Sequence, residues 1–416
     1  MEKIRDLAPE IQQRISGMKR VMSNSGMSMP VTKNVILLLW AMLRERSVQV
    51  TALARALDER ITPKKTWERL RRTMGKTGLW KTLMSVHRKA TVSRIREMRY
   101  CVVDLSDIRK QYARKMEGLA RVRDGNKKEI GDGYWWLNAM MVDAGGMSPV
   151  YSELYSLERE ADELVSENRK LLETMEWVHA IHPGARFVID RGGDRGVLYE
   201  WFLREKVAFI VRGNANRSVK LHADSEKMTN IKSVAARIET TRRYESRTGR
   251  NFRVGCRRIY LDGEALWLVA SRREEEPNAL SWFLTNVEGS RDRIMDTVME
   301  GYGYRWRVEE YHRQIKQDYA LESICLREYE ALKNMIALVV IAAAFVMRLP
   351  GNLALKLVAA AHLLPHNRLR DLPSYPFYML SAAVAWVLAA CRKLPSKPLN
   401  LRKRDYFQLS LPLPHF

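Results

Sequence analysis

The segment YGYRWRVEEYHRQIK, residues 302–316, decides the fold class because it has the pattern of a helix with two different faces. At about 100° per residue, its polar residues fall within an arc of about 80°. These residues are Tyr302, Arg305, Glu309, Arg313 and Lys316, with Trp306 at the edge. The apolar residues occupy a separate arc of about 60°, and they are Tyr304, Val308, Tyr311 and Ile315. One face can therefore pack into a core while the other presents a carboxylate between cations.

A carboxylate between cations has two interpretations. A surface helix with ordinary ion pairs, between residues three and four positions apart, has the same pattern. A carboxylate can also bind a metal ion while neighbouring Arg and Lys side chains bind a phosphodiester. Helical spacing alone leaves both interpretations open.

The spacing Tyr-x2-Arg-x3-Glu-x6-Lys resembles the Tyr-Arg-Glu-Lys signature of the bacterial DDE transposases of the insertion-sequence-four family. Tyr302, Arg305, Glu309 and Lys316 carry the resemblance, together with the context Arg305-Trp306-Arg307 and Glu309-Glu310-aromatic-His312. The resemblance covers about residues 95–345. It implies an α/β fold with a ribonuclease-H-like catalytic core and two further acids upstream, both on strands.

Composition agrees with a protein that binds nucleic acid. Lys and Arg number 71 against 48 Asp and Glu, a formal charge of +23, and such a field attracts a polyanion. The four cysteines have no paired spacing, which indicates reduced thiols rather than disulfides or a zinc site. Two apolar runs, 335–347 and 375–391, are shorter than the roughly 20 residues of a membrane span. We therefore expect buried helices, no membrane association and a cytoplasmic location near the nucleoid.

Residues 1–95 are predicted to form a helical DNA-binding domain. Residues 1–98 hold 21 Lys and Arg against 8 Asp and Glu. Three helices are predicted here, and the third is capped by Thr62 with Pro63 at its first position. The short second helix, the turn after it and this basic third helix suggest a helix-turn-helix. The cations expected to reach DNA from the third helix are Lys64, Lys65, Arg69 and Arg72. A basic bundle that only packs against the catalytic domain is the alternative.

Residues 96–204 have the pattern of the first part of the catalytic core. Three strands are predicted, at 99–106, 134–142 and 149–157, with a polar loop or short helix over residues 107–132. A helix over about 158–179 then leads to a strand that ends at Asp190. The second part of the core, residues 296–345, carries the helix with Glu309.

The family pattern transfers to three acids, Asp104, Asp190 and Glu309. Asp104 interrupts an apolar strand, where a buried acid needs a partner or a metal, and acids at strand ends are well placed for a site. Asp107 and Asp194 are the rival candidates, the first as a loop residue and the second as a helix cap.

Three carboxylates suit a site for two Mg²⁺ ions, with Mn²⁺ expected to substitute. The resemblance further implies that Arg305 and Lys316 hold phosphates next to the cut, that Tyr302 packs nearby and that Arg313 is a further basic position. Trp306 and Trp282 correspond to aromatic residues around a flipped base, although core packing would explain both.

The remaining regions are predicted from composition and from the resemblance. Residues 205–295 have the pattern of a β-rich insertion between the second and third acids, with a hairpin turn at Asp262-Gly263. Residues 346–416 are predicted to form an apolar helical region and a basic tail, with dimerisation, as a homodimer, as one proposed role.

Together these features predict a cut-and-paste DNA transposase. It would cleave double-stranded DNA at the end repeats of its element and transfer the freed 3′-hydroxyl to target DNA, with a hairpin as one route of excision. A nuclease of the same fold that cuts without joining is one alternative. A domesticated DNA-binding protein without catalysis is the other.

Overall fold

The computed structural model describes residues 7–110, 112–123, 129–159, 166–361 and 375–390. These ranges form a mixed α/β protein with a large central sheet and helices at both ends of the chain.

Five helices precede the sheet, as the sequence predicted for this region. They are α1 (Leu7–Ser23), α2 (Met29–Glu45), α3 (Val50–Ala56), α4 (Pro63–Met74) and α5 (Leu79–Glu97). Helix α4 begins as expected, because the Thr62 side chain accepts a hydrogen bond from the Lys65 amide at 3.5 Å and Pro63 occupies the first turn. An N-cap of this kind satisfies an amide that has no partner within the helix.

The first part of the sheet contains six strands. They are β1 (Tyr100–Arg109), β2 (Ala120–Arg123), β3 (Ile130–Asp143), β4 (Gly146–Tyr155), β5 (Arg186–Ile189) and β6 (Phe209–Arg212). Strand β3 pairs antiparallel with β1, β2 and β4, whereas β1, β5 and β6 run parallel to one another. Helix α6 (Glu167–His179) and helix α7 (Gly196–Arg204) form the crossovers to the two parallel strands.

The chain after β6 extends the same sheet rather than forming a separate one. Strand β12 (Leu280–Thr285) pairs antiparallel with β6, and β11 (Glu264–Arg273), β10 (Asn251–Leu261) and β9 (Arg242–Glu245) follow outward. The predicted turn at Asp262-Gly263 joins β10 to β11, and both residues have positive φ angles as a tight hairpin requires. A short pair, β7 (Ser218–Val219) with β8 (Thr229–Asn230), and helix α8 (Ile231–Ala236) lie beside this extension.

Five helices follow the sheet in the described ranges. They are α9 (Arg291–Gly303), α10 (Arg305–Asp318), α11 (Tyr329–Met347), α12 (Gly351–Ala361) and α13 (Phe377–Ala390). Helix α11 is long and apolar enough to cross a membrane, but 89% of its most apolar window is buried inside the protein. It is a core helix, as the sequence predicted, and no membrane protein is indicated.

Two apolar layers cover the sheet. Helices α9, α10 and α11 pack on the face that carries Tyr100, Val102 and Trp136. Helices α6 and α7 pack on the opposite face, against residues such as Val103 and Ile189. The four apolar residues predicted to seat the 302–316 segment are all buried, which confirms that face.

Several predicted boundaries were wrong. The segment 302–316 is not one helix, because α9 ends at Gly303 and α10 begins at Arg305, so that Tyr302 belongs to α9. The range 107–132 is not only loop, since β1 continues to Arg109, β2 lies within the range and β3 begins at Ile130. Helix α6 begins at Glu167, capped by Ser166, and not near residue 158 as predicted. The cysteine at position 391 and the tail lie outside the described residues.

Candidate active site

Strand register places two of the predicted acids side by side. The last parallel pair between β1 and β5 joins Val103 to Ile189, so that Asp104 and Asp190 are the next residues on strands about 4.8 Å apart. Successive side chains alternate between the faces of a sheet. Since Val103 and Ile189 pack against α6 and α7, both acids belong to the face that α9 and α10 cover. Asp190 also accepts a hydrogen bond from the Gly192 amide at 2.8 Å, which ends the strand in a tight turn.

Arg305 of α10 connects Asp104 with Glu309. Its Nη1 lies 3.7 Å from Asp104 Oδ1, and its Nη2 donates to Glu309 Oε1 one turn along the helix. The Arg305 side chain is 20% exposed, whereas that of Glu309 is half exposed. The guanidinium therefore lies between two carboxylates at the border between core and solvent.

The charges of this cluster change one another's protonation. Burial raises the pKa of the Asp104 carboxyl to about 7; Arg305 works against this increase, and the negative charges of Asp190 and Glu309 add to it. Burial alone would lower the pKa of Arg305, but Tyr302, Asp104 and Glu309 outweigh it and hold the pKa above its usual value. Even beside Arg305, the Asp104 carboxyl is therefore only partly ionised at neutral pH, and a further cation would favour its charged form.

Tyr302 lies between two guanidinium groups. Arg305 is 5.7 Å from its ring centroid, and Arg212 at the end of β6 is 6.0 Å away on a separate element. The Arg212 side chain also donates to the Tyr302 hydroxyl at 3.4 Å. Tyr302 thus links the end of the third parallel strand to the beginning of α10.

Lys316, at the other end of α10, forms ion pairs with two acidic side chains. Its Nζ is 3.5 Å from Asp107 Oδ1 and 3.6 Å from Glu322 Oε1. Asp107 is a buried residue of β1, not the loop residue that was considered. It serves as the counterion of Lys316.

The second rival acid, Asp194, has a different role from the helix cap considered. Its carboxylate forms an ion pair with Arg217 and accepts the Asn214 amide hydrogen, and the side chain is fully buried. The residue that precedes α7 is Arg195, without a side-chain cap. The ion pair and the hydrogen bond thus stabilise the buried charge of Asp194 without a ligand.

The aromatic and peripheral basic candidates differ in exposure. Trp282 is buried, with Gly213 directly against its ring, and Trp306 is half-buried at the edge of the core. Arg313 is exposed and pairs with Glu310. In the N-terminal region, α4 presents three of its predicted cations to solvent, Lys64, Lys65 and Arg72, whereas Arg69 pairs with Glu59 at 2.5 Å.

Sequence reasoning missed three polar residues around the acids: His312, Asn138 and Arg212. The ring nitrogen Nδ1 of His312 lies 3.5 Å from Asp104 Oδ2, and its Nε2 lies 3.0 Å from Asn138 Nδ2. Burial lowers the pKa of His312 to about 3, and Lys316 and Arg305 add to the effect, so its ring is neutral. A usable signal was present, because each is a polar residue within an apolar strand or on a buried helical face.

The donor set fits a hard divalent cation in its chemistry. Three carboxylates come from β1, the end of β5 and α10, and oxygen ligands of this kind suit Mg²⁺. The position between Asp104 and Glu309 already holds a positive group, the Arg305 guanidinium. Within the part of the chain that the structure describes, no three His, Cys, Asp or Glu side chains are close enough to hold a metal together.

This arrangement defines a class of protein: a mixed α/β enzyme whose acids, next to the last parallel pair of β1 and β5, lie beside cations of α10 and suit the chemistry of a phosphodiester. Residues 140–345 match the family model described as the transposase DDE domain. This match supports a DDE transposase, an enzyme that cleaves nucleic acid and transfers strands, with DNA as its substrate. The matched segment covers just under half of the chain; it contains Asp190 and Glu309 and begins after Asp104. No curated protein matches the chain.

Proposed function

We propose that the chain is a cut-and-paste transposase of the insertion-sequence-four type. The observation that carries the proposal is the adjacency of Asp104 and Asp190 where the parallel pairing of β1 with β5 ends, with Arg305 and Glu309 presented to them by α10. The strand order β4-β3-β1-β5-β6, with three antiparallel strands followed by two parallel ones, supports a ribonuclease-H-like core. The spacing of Tyr302, Arg305, Glu309 and Lys316 supports the Tyr-Arg-Glu-Lys signature.

Asp104, Asp190 and Glu309 would hold two Mg²⁺ ions, with Mn²⁺ as a substitute. Such ions, when bound, activate the attacking oxygen and stabilise the leaving oxygen. The fit rests on the oxygen chemistry of the three side chains and on the need of Asp104 for a cation, which its raised pKa expresses.

The cations of α10 are proposed to position the DNA. Arg305 has five N–H donors in a planar fork, so it can contact a phosphate while it neutralises Asp104. Lys316, 23% exposed, would bind a second phosphate, and Tyr302 would pack beside the strand. Arg313 is exposed at a further basic position. Trp306 is a candidate to stack on a displaced base, and Trp282 would have to leave its buried position to do so.

The reaction has two steps at each transposon end. Water first cleaves a phosphodiester and leaves a 3′-hydroxyl, whose oxygen then attacks a phosphorus atom of target DNA and displaces the target's own 3′-oxygen. A hairpin is one route by which the second strand at each end is cut. Two ends must be processed together, which is the reason to propose a homodimer. A protein of this kind would act in the bacterial cytoplasm.

The exposed cations of α4 are proposed to hold the transposon end through its phosphates. If about 6 to 10 phosphates are contacted, affinity falls roughly 10³- to 10⁵-fold between 50 and 200 mM salt. We also propose that the chain is divided into five regions, which are residues 1–95, 96–204, 205–295, 296–345 and 346–416.

The decisive experiment is Glu309→Gln, assayed on labelled end oligonucleotides in Mg²⁺ and analysed on a denaturing gel. The variant should lose strand cleavage while it binds the end within a few fold of the original protein. Glu310→Gln is the matched control, because the neighbouring Glu310 pairs with Arg313 and not with Arg305, and it should cleave normally. Cleavage retained by Glu309→Gln rejects the assignment.

The same gel separates the alternatives. Products joined to added target DNA distinguish a transposase from a nuclease that only cuts. Metal-dependent nicking of the end by the original protein excludes an inactive DNA-binding protein.

A further inference from the structure

A row of polar side chains crosses three strands beneath α10. Asp104 of β1 lies opposite Asn138 of β3, and Asn138 lies opposite Ser152 of β4. Residues in register on adjacent strands project from the same face of a sheet. Trp136 is two residues before Asn138 and so belongs to the same face. His312 of α10 completes the row between Asn138 and Asp104.

These side chains form one continuous chain of contacts inside the protein. Trp136 Nε1 donates to Ser152 Oγ at 2.7 Å, and Ser152 Oγ donates to Asn138 Oδ1 at 2.8 Å. Asn138 Nδ2 then lies 3.0 Å from His312 Nε2. Trp136, Ser152, Asn138 and His312 are all buried, so water does not compete for these groups.

The Trp136 indole, at one end of this series of hydrogen bonds, helps to determine which group donates and which accepts along it. An indole N–H can only donate, so Ser152 Oγ accepts from it, and the Ser152 hydroxyl hydrogen is available to donate to Asn138 Oδ1, as the structure has it. The Asn138 amide nitrogen also reaches the Trp136 carbonyl at 3.4 Å, an acceptor that the amide oxygen would repel. The amide nitrogen therefore donates to His312 Nε2, which must carry a lone pair.

The tautomer of His312 follows from that lone pair. A neutral imidazole with a lone pair on Nε2 has its hydrogen on Nδ1, and Nδ1 faces Asp104 Oδ2 at 3.5 Å. The other oxygen, Oδ1, faces Arg305 at 3.7 Å. The two oxygens of Asp104 thus have different partners, one within the core and one toward the open side of the site.

From this geometry we infer that His312 is a positioning residue, which orients the Asp104 carboxylate through an Nδ1–H whose placement Asn138 determines. The inference rests on the proposed function, in which Asp104 is one of the three catalytic acids. Groups that orient a ligand in this way change metal affinity or activity by about 10- to 100-fold when they are replaced.

The first test measures the tautomer and needs no activity. Nitrogen-15 spectra of histidine-labelled protein distinguish a protonated from an unprotonated ring nitrogen, and His312→Phe assigns the signal by its loss. We expect Nδ1 protonated in the original protein and Nε2 protonated in Asn138→Asp, whose carboxylate accepts where the amide donated. Nε2 protonation in the original protein overturns the inference.

The second test measures what the tautomer does. His312→Phe removes the donor at similar volume, whereas an asparagine amide can replace Nδ1–H, so His312→Asn keeps it. We expect His312→Phe to lower the cleavage rate and to weaken Mn²⁺ binding, measured by calorimetry, by about 10- to 100-fold. His312→Asn should recover most of both losses. Cleavage and Mn²⁺ binding within threefold of the original protein in His312→Phe, or no recovery in His312→Asn, contradicts the inference.

A histidine elsewhere in the fold is the matched control. His87 is equally buried and binds the Pro149 carbonyl at 2.7 Å on the outer strand of the sheet. His87→Phe should lower thermal stability as much as His312→Phe does, but it should leave Mn²⁺ affinity unchanged. An equal loss of Mn²⁺ affinity in both variants overturns the specific role of His312. If the original protein does not cleave DNA at all, the proposed function fails, while the tautomer and Mn²⁺ measurements still test the inference.

Discussion

Asn334 of helix α11 connects the N-terminal helices to the rest of the fold, and its replacement gives the most quantitative prediction. Its Oδ1 accepts the Trp80 amide hydrogen at 2.6 Å. Its Nδ2 donates to the carbonyls of Met74 at 2.5 Å and Lys76 at 2.8 Å. One fully buried side chain therefore satisfies three backbone groups at the end of α4, in the following turn and at the start of α5.

The expected magnitude follows from those three groups. A buried backbone group left without its partner costs about 1–3 kcal/mol, with carbonyls at the low end because they have a second lone pair. Asn334→Leu keeps the branching of the side chain at Cγ and removes all three bonds. We expect the free energy of unfolding to fall by about 3–5 kcal/mol, a large share of the roughly 5–15 kcal/mol typical of a domain.

The measurement is urea unfolding followed by circular dichroism and tryptophan fluorescence. Asn352→Leu on α12 is the control, since that exposed side chain bonds only the amide of the next residue, Leu353, and it should change stability by less than about 0.5 kcal/mol. A loss below about 1 kcal/mol for Asn334→Leu would refute the assumption that these bonds stabilise the junction.

Two further predictions concern a titrating side chain and a close contact. Burial lowers the pKa of His87 to about 3, and Arg348 adds to this effect; the unfolded chain therefore takes up a proton below pH 6.5 that the folded protein refuses. The free energy of unfolding should fall as the pH drops from 6.5 toward 3. His87→Gln should reduce the slope of that free energy against pH by about 1.4 kcal/mol per pH unit. Urea unfolding between pH 7 and 4 measures the slope, and an unchanged slope contradicts the prediction. A Cβ at Gly213 would lie 2.8 Å from the Trp282 ring, so Gly213→Ala should cost about 1–3 kcal/mol, whereas Gly196→Ala, which meets nothing within 4 Å, should not destabilise; equal melting temperatures would contradict the contact.

Local patterns predicted the elements that depend on local physics. The burial of Tyr304, Val308, Tyr311 and Ile315 follows from a period of 3.6 residues on an amphipathic helix. The start of α4 follows from a Thr cap and a Pro in the first turn. Neither feature needs information from distant parts of the chain, which is why the sequence alone was sufficient.

The break between α9 and α10 could not be predicted in this way. The hydrophobic pattern continues through Tyr304, but Gly301 lies where a Cβ would be 2.7 Å from Tyr100 and Ile210. The backbone of α9 therefore approaches the sheet more closely than any larger residue would allow. Such a contact depends on the neighbouring strands, and helical periodicity contains no information about it.

The strands within 107–132 were missed for a related reason. Polar and glycine residues have low β propensity, so Ile130 to Gly133 did not have a strand pattern. In the fold, β3 pairs with β1 on one side and with β2 on the other at this point. Tertiary pairing overrides propensity in such cases, because β preference depends on cross-strand neighbours more than on the residue itself.

The environment of Asp104 shows what an isolated polar residue in an apolar strand can indicate. Asp104, Asn138 and Ser152 each interrupt a different strand, and taken singly each would cost free energy when buried. Buried polar groups in native proteins nearly always have partners, so each interruption predicts another polar residue somewhere in the chain. Register then makes the three residues one another's neighbours and brings His312 above them. The sequence alone therefore indicates that polar partners exist for these residues. Which residues they are depends on strand pairing across 48 residues of chain, from Asp104 to Ser152.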